Sequence, residues 1–260
     1  MKNGYIRNEE GVHGERWQTL HDGYFSDPRV ASPFLDSIEK IINISYPSVI
    51  ADLGGGTGFI LSELSKRLSL SGVKLFNVDI SSKQLSSCDK KQIALIKTPV
   101  SQFTRHQLKV EDANVLLIAR SLLHYFGKSD LRHLLRHIRC QQKKGEFFIH
   151  QSACFQRLED SECLNLIYNL MGIDKWYGTI SKMQILLEEV GWEICTIIPA
   201  PKLHLNSRDL SERYNLSPDQ VKFIRIEIEK RYGQSPDIFC MNDIGFDAYL
   251  HYCIFICRAI

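Results

Sequence analysis

Five short apolar runs alternate with helical patterns between residues 48 and 150, and nothing else in the chain constrains its fold as tightly. Ser48–Leu53, Val73–Val78, Ile93–Ile96, Val115–Ala119 and Glu146–His150 are short and bounded by turn residues, which predicts strands. Between the first two, Phe59–Leu70 places Ile60, Leu61, Leu64 and Leu68 on one helical face. Ser81-Ser82-Lys83-Gln84 has capping-box spacing, and Ser129 is placed to cap a helix running to about Cys140. Strands separated by helices pair in parallel, and the crossovers cover both faces of the sheet. Two later strands, Glu193–Ile198 and Leu250–Cys257, bring the expected number to seven. The expected fold is α/β: a doubly wound, mostly parallel seven-stranded sheet with helices on both faces.

The flanking segments do not follow this rhythm. In the first 46 residues Asp27-Pro28 starts a helix, and Phe34, Leu35, Ile38, Ile41 and Ile42 then recur at helical spacing. Between residues 199 and 248 lies an insertion with its own helix start, Ser217-Pro218-Asp219-Gln220. The expected organisation is an N-terminal helical cap (1–46), a core (47–198 and 249–260) and a cap insertion (199–248). Tyr5, Trp17, Tyr24 and Phe25 in the first segment, and Tyr214, Phe223, Tyr232 and Phe239 in the insertion, could line an apolar acceptor site or pack as ordinary core.

Composition narrows the partners. A formal net charge of +2 creates no strong pull toward nucleic acid or an anionic membrane. Arg132, Arg136 and Arg139 share a helix face, with His133, His137, Lys143 and Lys144 nearby. No aromatic residues interleave them as a base-stacking platform would need, so a solvated face is the simpler reading. The opening MKNGYIRNEEGVHGER is too polar for a signal peptide. The longest strongly apolar stretch, Tyr249–Cys257, falls far short of the roughly 20 residues of a membrane-spanning helix. A soluble, cytoplasmic protein is expected. The eight cysteines include no Cys-x-x-Cys pair, so reduced thiols and no metal site are expected.

The segment with the most chemical content is Asp52-Leu53-Gly54-Gly55-Gly56-Thr57-Gly58, directly after a strand and before a helix. Glycines there let the backbone turn tightly and approach a ligand closely, and the helix start offers unpaired N–H groups. Phe59 stands where a GxGxxG dinucleotide fingerprint needs its third glycine, and no Gly-Lys-Ser/Thr follows for a P-loop. What remains is Asp-x-Gly-x-Gly-x-Gly. Asp79 ends the next strand in Asn77-Val78-Asp79-Ile80. Further on come Thr98-Pro99-Val100-Ser101-Gln102-Phe103 after the third strand, Arg120-Ser121-Leu122-Leu123-His124-Tyr125-Phe126 after the fourth, and Val190-Gly191-Trp192 before the sixth.

This series resembles class I S-adenosylmethionine-dependent methyltransferases over about residues 47–198 and the last strand. The resemblance implies S-adenosyl-L-methionine as cofactor, held by Asp52, Gly54, Gly55, Gly56, Gly58, Asp79, Ile80, Ser101, Gln102 and Arg120. Asp79 would accept hydrogen bonds from both ribose hydroxyls, a task that suits the two oxygens of one carboxylate. Ser101 and Gln102 stand in for the acidic residue the family often places near the adenine. The implied reaction is in-line displacement of methyl onto a small organic acceptor, with no metal. His124 is the candidate catalytic base, with packing at a helix start as the competing reading; His150 is a second candidate. An RNA or protein acceptor, and a non-catalytic cofactor-binding regulatory module, are the alternatives. The absence of Asn/Asp-Pro-Pro-Tyr and of Pro-Cys sets aside amine-directed and C5-directed DNA methyltransferases, and the scattered cysteines disfavour arsenic methylation.

Overall fold

The computed structural model describes residues 20–88, 92–110 and 112–260. Tyr5 and Trp17, expected among the aromatic lining, lie outside the described residues. The chain forms two compact units.

The core unit comprises residues 28–152, 184–200 and 253–260. In chain order it contains α1 (Pro28–Ser45), β1 (Val49–Leu53), α2 (Phe59–Arg67), β2 (Lys74–Asp79), α3 (Ser82–Ser86), β3 (Ile93–Lys97), β4 (Val115–Arg120) and α4 (Gly127–Cys140). β5 (Phe147–Phe155), α6 (Ile180–Glu189), β7 (Trp192–Asn206) and β9 (Phe246–Ala259) each belong partly to this unit. The sheet order is β3-β2-β1-β4-β5-β9-β7, and the pairings β1–β2, β2–β3, β1–β4 and β4–β5 are parallel. The order reverses between β1 and β4. In doubly wound sheets the ligand crevice opens there, beyond the carboxyl ends of the strands.

β1 is buried at every position, as a central strand covered on both faces must be. α1 starts at Pro28 as its sequence suggests, and packs Ala31, Phe34, Leu35, Ile38 and Ile41 into one cluster with Ile50, Leu61, Leu64 and Leu116. Residues 28–45, grouped with the N-terminal cap in the sequence reading, are therefore part of the core unit: their apolar stripe is a core stripe.

At the amino ends of the strands a buried ion pair closes the layer. Arg105 donates to both carboxylate oxygens of Glu146 at 2.6 and 2.8 Å and also to the carbonyl of Ala113. Glu146 in turn accepts the backbone N–H groups of Val115 and Lys143. α4 begins at Gly127, two residues before the expected cap at Ser129.

The second unit comprises residues 20–27, 153–183 and 201–252 of the described chain. It contains α5 (Leu158–Leu170), β6 (Gly178–Thr179), α7 (Ser207–Tyr214), α8 (Pro218–Tyr232) and β8 (Phe239–Met241). The expected helix start at Ser217 forms a complete capping box with Gln220. β6 adds to the end of β5, and β8 forms a hairpin with the start of β9. The described sheet thus counts nine strands, not seven. The difference arises because β5, β7 and β9 run on past their expected ends. Pro199 and Pro201 make the second half of β7 look like a loop, but β7 is an edge strand, where proline is tolerated. No described helix is long and apolar enough to cross a membrane.

Candidate functional site

The glycine loop is held at four points. Gly54 N–H and Gly55 N–H both donate to the carbonyl of Val78, tying the loop to the end of β2. Gly56 N–H donates to Asp79 Oδ2 at 2.9 Å, and Asn77 Nδ2 donates to the Gly56 carbonyl at 2.9 Å. Gly54, Gly56 and Gly58 all take positive φ (71°, 55° and 78°), the left-handed region that a side chain strains. A Cβ on Gly54 would stand 2.7 Å from Leu122, and one on Gly58 would stand 2.4 Å from the Cys88 sulfur. On Gly56 the nearest atom would be 3.6 Å away. Gly54 and Gly58 are therefore required by their neighbours, whereas a Cβ on Gly56 would meet only Gln84 Oε1 at ordinary contact distance, which leaves room for a ligand to approach. This is the cradle an adenosine-bearing cofactor needs, and in that respect the residues fit the group.

Asp79 is half-buried at the carboxyl end of β2. Its Oδ1 accepts from Ser81 N–H at 2.8 Å while its Oδ2 holds Gly56. This changes the expected capping box of α3. Ser81 Oγ accepts from Gln84 N–H as predicted, but the return bond from Gln84 does not form, because Asp79 has taken the Ser81 N–H.

Asp52, opposite Asn77 in the β1–β2 register, is almost fully buried, and neither carboxylate oxygen has a hydrogen-bond partner. Burial first, and then the nearby Asp79 charge, push its carboxyl up to about 7; Arg120 acts in the opposite direction.

The remaining expected residues spread along the carboxyl ends of the strands. Ile80 follows Asp79 and is half-buried. Ser101 and Gln102 occupy a 3-10 turn at Val100–Gln102 after β3, Ser101 half-buried and Gln102 exposed. Arg120 ends β4 and is half-buried. His124 lies in the 3-10 turn Leu123–Phe126; it is buried, its ring centroid 4.2 Å from that of Tyr125. His150 is fully buried and stacked on Phe255 at 4.8 Å, with Nδ1 hydrogen-bonded to Ser152 Oγ. Burial pushes it down to about 3, so it stays neutral inside the core and is not placed to serve as a base.

Three contributors escaped the sequence reading. Asn77 is completely buried and positions Gly56; its inward phase on β2, two residues before Asp79, was the available signal. Ser121 adopts φ 56° and donates its N–H to Gln151, and Leu122 then covers Gly54. Both stand in the segment after the fourth strand, but nothing in the sequence marks the positive φ at Ser121 or the cover that Leu122 gives Gly54.

Residues 50–145 match the family described as a methyltransferase domain. No curated protein matches the chain. Among solved structures, a Bacillus halodurans C-125 protein described as a methyltransferase superposes with a TM-score of 0.64 at 13% identity, covering 86% of this chain and 98% of that one. The 1,6-didemethyltoxoflavin-N1-methyltransferase of Burkholderia thailandensis, solved with 1,6-didemethyltoxoflavin and S-adenosylhomocysteine, gives 0.56 at 12%, covering 100% and 90%. The geranyl diphosphate C-methyltransferase of Streptomyces coelicolor A3(2), solved with Mg2+, geranyl diphosphate and S-adenosyl-L-homocysteine, gives 0.56 at 13%, covering 89% and 80%. At these identities the likeness is one of fold. A methyltransferase domain is therefore matched over residues 50–145, on a sheet that shares the fold of these solved methyltransferases.

Proposed function

We propose that this chain transfers the methyl group of S-adenosylmethionine to a small organic acceptor by in-line displacement. When bound, the cofactor supplies an electrophilic methyl on a sulfonium; the protein's share is positioning, desolvation and, where the acceptor carries a proton, its removal. Gly56 would give the cofactor close backbone approach. Asp79, whose two oxygens accept from Gly56 N–H and Ser81 N–H, would also accept from the ribose hydroxyls. Ile80, Ser101 and Gln102 would flank the adenine, Arg120 would stand at the end of β4, and His124 would serve as the base.

The observation that carries the small-acceptor reading is the fate of the basic stripe on α4. Arg139 donates to the carbonyls of Gly191, Gln142 and Ile260 and lies over the Trp192 ring. Arg132 pairs with Glu189, and Lys143 with Asp112. The last turn of α4 also sits at the amino ends of the strands, where Gln142 donates to the carbonyls of Val115 and Phe147. The glycine loop is at the opposite ends. Arg139 is thus committed to structural contacts, Arg132 and Lys143 sit in surface ion pairs, and the end of the stripe lies away from the glycine loop, which favours a small acceptor over nucleic acid.

The second unit supports the same reading. It gathers Tyr168, Tyr177, Tyr214 and Tyr252 around Lys175, whose ammonium donates to Tyr214 Oη at 3.0 Å and lies over the Tyr168 and Tyr214 rings. Aromatic rings with a few placed polar groups are the usual lining of a small-molecule site. The solved relatives named above act on small organic acceptors, a heteroaromatic ring and an isoprenoid diphosphate.

The test has two stages. Calorimetry with S-adenosylhomocysteine should show binding; its absence would remove the cofactor assignment. Incubation of the protein with methyl-labelled S-adenosylmethionine and fractionated cell extract should then move label into the small-molecule fraction. Label entering RNA or protein instead would overturn the acceptor class.

A further inference from the structure

We propose that Asp52 works as a neutral carboxylic acid that positions the glycine loop, donating a hydrogen bond to the side-chain carbonyl of Asn77. Both oxygens of Asp52 and Oδ1 of Asn77 are buried without a hydrogen-bond donor. Buried polar atoms left unpaired cost free energy, and native cores rarely contain them in groups. Asp52 and Asn77 are register partners on adjacent strands, and Asp52 Oδ2 and Asn77 Oδ1 both border the point a Cβ on Gly55 would occupy. An ionised carboxylate can only accept, so two acceptors facing one another would repel. One proton on Asp52 turns that repulsion into a bond and satisfies an atom on each side.

The surroundings favour the proton. Asp52 sits on β1 between Asn77 of β2 and Ile118 of β4. The charged groups facing it are Asp79 from β2 and Arg120 from β4. Burial and Asp79 both oppose ionisation, and together they outweigh Arg120.

The bond has a function because of where Asn77 points. With its carbonyl held by Asp52, the amide can only aim Nδ2 at the Gly56 carbonyl, the contact observed at 2.9 Å. Gly56 N–H is then presented to Asp79 Oδ2. Asp52 thus acts through Asn77 on the one glycine left open to a ligand. It is a positioning residue, and this inference rests on the reading that the loop receives the cofactor.

The proposal predicts how D52N and D52A behave. An asparagine at 52 can still donate to Asn77, whereas alanine cannot. Thermal unfolding of wild type and D52N between pH 5 and 8 tests the proton without any ligand. The Tm advantage of D52N should widen as pH rises toward 7 and then level, because folded wild type keeps a proton that its unfolded chain releases and the variant has none to release. A constant difference would overturn the proposal. Calorimetry with S-adenosylhomocysteine between pH 6 and 8 tests the positioning. If only the neutral form holds the loop, the wild-type Kd should rise about tenfold across this range. D52N should match the low-pH wild type and stay flat, and D52A should bind weakly throughout. Weak binding by a folded D52N at pH 6 would show that the carboxylate is needed as an anion and would overturn the idea. If wild type binds no S-adenosylhomocysteine at any pH, the cofactor reading fails, and the unfolding series still decides whether Asp52 carries a proton.

Discussion

Asp79 holds the loop before any ligand arrives, and that couples affinity to stability at a single residue. Asp79→Ala should weaken S-adenosylhomocysteine binding by about 1.5–3 kcal/mol, the usual worth of hydrogen bonds to a charged acceptor. It should also lower the unfolding temperature, because the Gly56 and Ser81 N–H groups lose their acceptor. Glycine substitutions separate the two effects. Gly58→Ala forces a Cβ against Cys88, so its cost should appear in the Tm. Gly56→Ala meets only Gln84 at ordinary contact distance; it should fold with a backbone penalty of about 1–2 kcal/mol and show its larger deficit in cofactor binding. For His124, if it serves as the base, His124→Gln should reduce kcat by about 100-fold while cofactor affinity holds; a loss of Tm with normal kcat would assign it to packing. The glycines and Asp79 were legible from sequence because their spacing is a motif. Asn77 and Asp52's protonation were not, since both depend on two strands meeting in one register.

At the scale of elements, the amino ends of the strands are a structural floor and the carboxyl ends carry the glycine loop, the proposed working edge. Arg105–Glu146 belongs to the floor, with side chains only 17% and 5% exposed. Glu146→Ala strands a buried guanidinium and two backbone N–H groups, and should destabilise the fold by about 3–5 kcal/mol. The bound-state kcat of whatever fraction stays folded should be unchanged. The elements themselves were well marked: the starts of α1 and α8 are proline-marked, and β1 to β5 fall where apolar runs predict them. What failed were strand ends. β7 carries two prolines, which read locally as loop, and only its edge position in the sheet makes them compatible with a strand. A local signal cannot report whether a neighbour will sit on one side or two.

For the whole molecule, β5, β7 and β9 each carry backbone of both compact units without a break. A single calorimetric transition is expected. Its pH dependence should hide two opposed contributions. Asp52, raised from 3.8 to about 7, stabilises the fold below pH 4 and loses that contribution as pH rises toward 7. His150, lowered from 6.5 to about 3, contributes stability above pH 6.5 and loses it as pH falls toward 3. Between pH 4 and 6.5 their slopes cancel. D52N removes one, and its stability should rise with pH there by up to about 1.4 kcal/mol per unit, measurable by denaturant titration at several pH values.

The uneven burial of the thiols makes this chain its own labelling scaffold. Five of the eight cysteines are buried, and Cys163 is pushed up to about 12, far from the reactive thiolate. Cys140 and Cys195 are exposed, and burial together with Glu193 raises Cys195. Cys140, on the last turn of α4, should therefore take a maleimide fluorophore first. That turn lies at the floor of the sheet, a full strand length from Gly56, so a dye there can report on the working edge by energy transfer without standing in it.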